Sequence, residues 1–218
     1  MPLFPLGTVL FPGLVLPLHV FESRYRQLVR DLLAKPEPRE FGVIAIRHGR
    51  ETGIDGVSDV YDVGCTAEIR QVEAFDDGRY ALVTVGMRRF RLLGLADPRP
   101  YLEADVELLD DVEGDQTAAA LAVRPVQQAF LDYLSALAEQ RGATYEAPEL
   151  PDEPILLSYL VAAAIVVDMA DKQRLLAAPD AARRLAADRE LLSREIRMLR
   201  ALPTTPAPEL RYSPYSPN

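Results

Sequence analysis

Lysine, histidine and cysteine are nearly missing from this 218-residue chain, and tryptophan is missing altogether. Of its 24 basic residues only Lys35 and Lys172 are lysines. A phosphate-binding loop needs Gly-Lys-Ser/Thr to set an ammonium on the phosphates and a hydroxyl on magnesium. Lys35 precedes Pro36 and Lys172 precedes Gln173, which excludes that loop. His19 and His48 stand apart, so with Cys65 they form no His/Cys ligand set at helical or knuckle spacing. The acids show no EF-hand spacing either, and no metal or cofactor is expected. A single cysteine excludes an intrachain disulfide and fits a reducing compartment, which points to the cytoplasm.

Long apolar runs are lacking too. The apolar opening is cut by Pro2, Pro5, Pro12 and Pro17 with Gly7 and Gly13, and no basic residue precedes it, so neither a signal peptide nor a membrane span is expected. Ile155 to Val167 carries no charge, yet at 13 residues it is too short for a bilayer and reads as the buried centre of a helical bundle. The net charge is −9 and both halves are acidic. Duplex binding wants a clustered Lys/Arg face, and the only dense basic run is Arg88, Arg89 and Arg91. Those three could bind a phosphate or an acidic peptide, but a salt-bridged barrel exterior is the plainer expectation.

What is present begins with Pro2 to Leu33. Short strands are expected over Thr8 to Phe11 and Leu14 to Leu18, broken at Pro12/Gly13. Tyr25, Leu28, Val29, Leu32 and Leu33 then fall on one face of a helix. Further strands are expected at Phe41 to Ile46, Val63 to Val72, Tyr80 to Val85, around Phe90, and at Tyr101 to Leu108, with Arg47 to Asp59 a surface loop. Asp76-Asp77-Gly78 makes a hairpin turn, because glycine supplies the positive φ. Many short, mostly antiparallel strands with one helix predict a small closed or nearly closed barrel to about residue 110.

The period then becomes helical. Asp115 to Arg124 is expected as a helical segment kinked or broken at Pro125, where the next helix opens, and Gly142 is placed to end that helix. Asp152 and Pro154 start another, and Asp180 to about Arg200 a last one, with Leu185, Leu192, Ile196 and Leu199 as its stripe and Glu190 paired to Arg194. The fold class is therefore α+β, a small antiparallel β-barrel with one helix over 1–110 followed by an α-helical bundle over 111–202. The Pro-rich stretch 203–218 reads as a disordered tail.

Several motifs resemble one family in the same order. They are Pro2-Leu3-Phe4-Pro5-Leu6, Phe11-Pro12-Gly13, and Leu16-Pro17-Leu18 running into His19-Val20-Phe21-Glu22-Ser23-Arg24-Tyr25. Gly86 to Phe90 with Pro100-Tyr101, and Asp171 to Leu176 with Arg184-Leu185 and Glu195-Ile196, continue the series. Together they resemble the N-terminal, substrate-binding domain of Lon proteases over about residues 2 to 200. The resemblance implies a barrel of the PUA-like kind and a stand-alone, non-catalytic module that recognises polypeptide, with an adaptor in protein quality control or proteolysis as the setting it suggests. Nothing in the chain resembles the Walker sequence or the Ser-Lys protease pair of a complete Lon, so no enzyme is expected.

The residues themselves offer little catalysis. His19 sits at a helix entrance and is expected to be structural, His48 to be solvated, and Cys65 to be buried and inert. Apolar residues forced beside turns are the best candidates for touching polypeptide: Leu14, Phe75 and Tyr80. Ordinary core packing is the plainer reading of each. The alternative function is RNA binding by a PUA-like barrel, which rests on fold analogy and which the acidic balance opposes. Nucleic acid is not an expected partner, and the sequence leaves the oligomeric state open.

Overall fold

The computed structural model describes residues 1–49, 57–96 and 100–201. Seven strands make one sheet: β1 (Leu3–Leu6), β2 (Val15–Val20), β3 (Glu40–Gly49), β4 (Val57–Val60), β5 (Val63–Ala74), β6 (Tyr80–Leu95) and β7 (Ala104–Leu108). Their order is β1-β3-β5-β6-β2, with β4 added to β3 and β7 to β6. The sheet is mixed rather than antiparallel: β1 runs parallel to β3, with Phe4 opposite Val43. Helix α1 (Ser23–Leu33) lies between β2 and β3 and gives the chain the length to return in the same direction as β1. Tyr25, Leu28, Val29 and Leu32 are the buried face of α1, as the spacing predicts.

The first strand is not Thr8 to Phe11. Those residues connect β1 to β2, and they are apolar for another reason. Leu10 packs in the core under the sheet and Phe11 in the core among the helices, so the connection passes between the two. The loop expected over Arg47 to Asp59 is partly strand, with β3 reaching Gly49 and β4 opening at Val57, and residues 50–56 lie outside the described residues. The β5–β6 hairpin turns at Asp76 to Gly78 as expected, with Gly78 at φ +80° and its N–H donating to the Phe75 carbonyl.

Five helices are described, the last four being α2 (Gln116–Arg141), α3 (Pro154–Ala164), α4 (Met169–Ala177) and α5 (Ala181–Ala201). Of the kink or break expected at Pro125, the break does not occur: α2 runs through the proline as one helix. Val123, Val126, Phe130 and Tyr133 are buried on both sides of the proline, and burying them outweighs the roughly 3 kcal/mol an interior proline costs. Asp115 caps α2 by accepting from the Ala118 N–H, and Gly142 ends it in the left-handed conformation at φ +62°. Asp152 does not cap α3; its carboxylate accepts instead from Gln127 Nε2 at 3.0 Å. Helix α4 has no counterpart in the sequence reading, although Asp168 caps it by accepting from the Asp171 N–H at 2.8 Å. Arg194 pairs with Asp171 at 2.6 Å and with Glu195 at 2.9 Å, not with Glu190. The stretch 203–218, expected as a disordered tail, lies outside the described residues.

Candidate functional site

Strand β2 pairs with β6 from Val15↔Val85 to Val20↔Tyr80, and among the described residues it pairs with no other strand. It is therefore an edge, and Pro17 is tolerated there because an edge needs no complete row of N–H donors. Strand alternation puts Leu82 and Thr84 of β6 inside, leaving Ala81, Val83 and Val85 half-buried on the outer face. That face is apolar where a solvated face is usually polar. Val15 is 63% exposed and Phe21 just beyond β2 is 53% exposed, whereas Val72 of β5 pairs with Leu82 and so belongs to the other face. A shallow groove of about 430 Å³ runs across the face, lined by Pro17, His19, Val72, Glu73, Ala81 and Val83 among others. A smaller cleft of about 200 Å³ opens between β2 and β1, with Phe4, Phe21 and Tyr25 in its wall.

The three residues singled out by sequence are not together. Phe75 and Tyr80 stand at the turn end of the β5–β6 hairpin, both half-buried. The Phe75 ring is 5.9 Å from that of His19, and the Arg79 guanidinium lies 5.8 Å from it. Tyr80 faces Val20 in register and packs on the core under the sheet. Leu14 is at the opposite end of β2, about 20 Å away at the rise of a strand. It packs against both the sheet core and the helix core. None of the three lines the 430 Å³ groove. Sequence reasoning missed Val15, and the signal was there: the Ala81, Val83, Val85 face, to which Val15 is added by its pairing with Val85, is apolar on the side away from the core. His19 is likewise not part of the helix entrance but an exposed residue of β2. His48 is exposed on β3 with Nδ1 3.3 Å from Asp59.

The joint between sheet and helices is polar. Arg89 is expected on an exterior and is 2% exposed. Its Nε donates to Asp111 at 2.8 Å, and its Nη1 to the carbonyls of Leu176 at 3.1 Å and Ala178 at 2.6 Å, where α4 ends. Arg88 and Arg91 do lie outside, paired with Asp110 and Glu107. Arg184 of α5 is equally buried. It donates to Leu175 O and Ser158 Oγ, each at 3.0 Å, and its guanidinium lies 3.9 Å from the Tyr159 ring centre. The Tyr159 hydroxyl donates to Asp111, and burial pushes its pKa up. Gln173 Nε2 crosses to the sheet at Val63 O, 2.7 Å. Asp188 is fully buried with no hydrogen-bond partner on either oxygen, and burial raises its pKa well above the usual carboxylate range against the pull of Arg184 and Lys172.

Lys172 closes the end of α3. Its Nζ donates to Ala162 O at 2.6 Å and Ala163 O at 2.7 Å, and burial pushes its pKa down to about 8. It lines a groove of about 380 Å³ between the β1–β2 connection and the α3–α4 corner, which Leu14 also lines. Cys65 is buried, and burial pushes its thiol pKa up, so no thiolate is available there. Among the described residues no group of three or more His, Cys, Asp or Glu is gathered to hold a metal, and no helix is long and apolar enough to cross a membrane.

Residues 1–194 match the family described as the ATP-dependent protease La (LON) substrate-binding domain. The Lon protease of Anaeromyxobacter dehalogenans is 31% identical over 203 residues, which are 92% of this chain and 24% of the relative. Lon protease 2 of Myxococcus xanthus is 30% identical over 203 residues, with the same shares. The chain thus spans about a quarter of the length of these curated relatives. A Lon N-terminal domain protein from Xanthomonas campestris, solved by crystallography, superposes with a TM-score of 0.59 at 25% identity, covering 88% of this chain and 96% of that one. The N-terminal domain of Mycobacterium avium complex Lon protease shares the fold, with a TM-score of 0.64 at 21% identity over 88% of this chain and 97% of its own. Motif order, mixed sheet, helical second half and close relatives agree: the chain belongs to the Lon substrate-binding domain family.

Proposed function

We propose that this chain is a cytoplasmic, non-catalytic binding unit that takes extended, apolar stretches of polypeptide on the outer face and free edge of β2. The observation that carries the reading is an apolar outer strand face, Val15, Ala81, Val83 and Val85, lying beside an unpaired edge. An added strand gains main-chain hydrogen bonds from such an edge, and shallow apolar pockets give loose selectivity. Pro17 offers no N–H, so the donor row of β2 is interrupted and contact with the apolar face supplies most of the affinity. Membership of a substrate-binding domain family supports the same role, and an adaptor in proteolysis is the setting it suggests. We read residues 1–110 as a PUA-like barrel and 111–202 as a helical bundle. The bonds Leu3 N–H to Leu102 O and Ala104 N–H to Met1 O support closure of the barrel between β1 and the segment leading into β7.

The test is a titration of the purified chain with a labelled unfolded polypeptide and with single-stranded RNA of similar length, at low and high salt. Polypeptide binding that survives salt is expected, since apolar contact is not screened. Binding of RNA alone, vanishing with salt as phosphate contacts do, would replace this reading with the RNA one.

A further inference from the structure

The 380 Å³ groove at the α3–α4 corner has a chemistry that the apolar face of β2 lacks. Its walls are mostly apolar, with Val9, Phe11 and Leu14 on one side and Val167 and Met169 on the other, and among the described residues no acidic side chain lines it and Lys172 is its one charged group. An ammonium has three donors, and two of them are committed to Ala162 O and Ala163 O. The Phe11 ring lies 5.9 Å from Nζ, so the amine faces the groove wall and not only the helix end. Helix α4 begins at Met169 in the same wall. The helix has no internal acceptor for the N–H groups of Met169 and Ala170, and its dipole makes that end positive.

The acids nearby lie outside the groove lining. Asp168 accepts from the Asp171 N–H, and Asp171 is held by Arg174 and Arg194. Asp188 of α5 is buried away from the groove, its pKa raised by that burial against the pull of Arg184 and Lys172. The Gly7–Leu14 connection and the end of α3 carry no charged side chain. A positive point in an apolar groove selects a carboxylate attached to an apolar body.

We propose that this groove holds the C-terminal carboxylate of a bound polypeptide whose last residue is apolar, with Lys172 as the counter-ion and Phe11, Leu14 and Val167 around the side chain. The inference rests on the polypeptide-binding reading and adds a chain end to it. Binding is linked to protons. The free groove loses its charge as pH rises through about 8, and a bound carboxylate holds the proton on Lys172. Affinity for the free acid therefore falls between pH 7 and pH 9.5, while affinity for an amide does not follow it.

The experiment titrates the full chain with an N-acetylated heptapeptide ending in leucine, as free acid and as C-terminal amide, at pH 7.0 and 9.5. The unfolded polypeptide of the previous section is titrated in parallel. At pH 7.0 the acid is expected to bind about tenfold or more tighter than the amide, the worth of one charge-assisted hydrogen bond. That preference should shrink at pH 9.5. Lys172→Met should erase it and Lys172→Arg, which keeps the charge, should retain part of it at both pH values. Lys172→Met also removes a cap from α3, so the acid-to-amide ratio on the unsubstituted chain is decisive if that variant does not fold. Equal binding of acid and amide, or binding of the unfolded polypeptide with neither peptide bound, overturns the carboxylate site and leaves the polypeptide reading standing. Failure of all three ligands overturns both.

Discussion

Two arginines two residues apart on β6 allow a controlled comparison of what burial does to an ion pair. Arg89 is 2% exposed beside an Asp111 that is 26% exposed, whereas Arg91 and Glu107 are each 52% exposed. Replacing Arg89 by methionine keeps most of the stem and deletes every donor of the guanidinium. Asp111 then retains only the Tyr159 hydroxyl, and the Leu176 carbonyl loses its arginine donor. Removing one partner of a buried pair costs about 3–5 kcal/mol. The partial exposure of Asp111 lets water relieve some of that loss, which places Arg89→Met near the lower end, about 3 kcal/mol. Arg91→Met breaks a pair in solvent and should cost about 0–1 kcal/mol. At about 2–4 °C per kcal/mol for a chain of this size, the first variant should melt about 6–12 °C lower and the second no more than about 4 °C lower. Urea unfolding read by circular dichroism gives the free energies directly, and equal slopes would show that the comparison is sound. If the two variants lie within about 1 kcal/mol of each other, the joint between sheet and helices is not held by the Arg89 network and the reasoning fails.

On the face of β2, Val15→Asp should weaken polypeptide binding about tenfold or more while moving stability by about 1 kcal/mol or less, checked by titration and melting of the same samples. Leu14→Asp should instead cost about 2–4 kcal/mol, because Leu14 packs against both cores; unchanged stability would show that its contacts are dispensable. Asp188 has a raised pKa, so the native chain holds a proton that the unfolded chain releases. Its contribution is fully present below the ordinary carboxylate range and is lost as pH rises through the native value. Asp188→Asn should therefore flatten the fall of urea midpoint with rising pH, and an identical pH profile would count against it. Gly86→Ala would set a Cβ 2.3 Å from the Phe11 carbonyl oxygen and 3.2 Å from Leu10. The β1–β2 connection must shift to admit it, which should cost about 1–3 kcal/mol in the same unfolding assay.

Local signals of the sequence were faithful where one neighbour decides the outcome. The α1 face, the Gly78 turn and the Gly142 stop each depend on residues within a turn of one another, and each stands where spacing puts it. Signals failed where distant packing overrules the local rule. Pro125 lies inside a continuous helix because α2 is buried on both sides of it. Phe11 looks like strand because it is apolar, yet it is apolar to plug the helix core. The direction of β1 against β3 left no mark in either strand, since pairing sense is set by the connection between them. Helix α4 is short, and its charged residues hide a core face of which Leu175 and Leu176 are the visible part.

Arg89 was the most misleading residue, and the reason bears on the candidate sites. Alternation along β6 sorts residues into core and solvent, but the side of the strand away from the core is not water at Arg89; it is the end of α4. Contact there is made through carbonyls of a helix terminus, which apolar side chains leave unsatisfied and a guanidinium fork can bond several at once. Arg184 meets the same helix end from α5. Directional bonds of this kind fix where a helix end sits more sharply than apolar contact does, since an apolar surface can slide while a fork cannot. The beginning of α4 lies at the other end of that same nine-residue helix, with Met169 and Lys172 in the wall of the carboxylate groove. Arg89 and Arg184 thus hold α4 at its C-terminal end and so position the groove at its N-terminal end against the β1–β2 connection. Loosening Arg89 should therefore weaken free-acid peptide binding more than amide binding, even at temperatures where the fold survives.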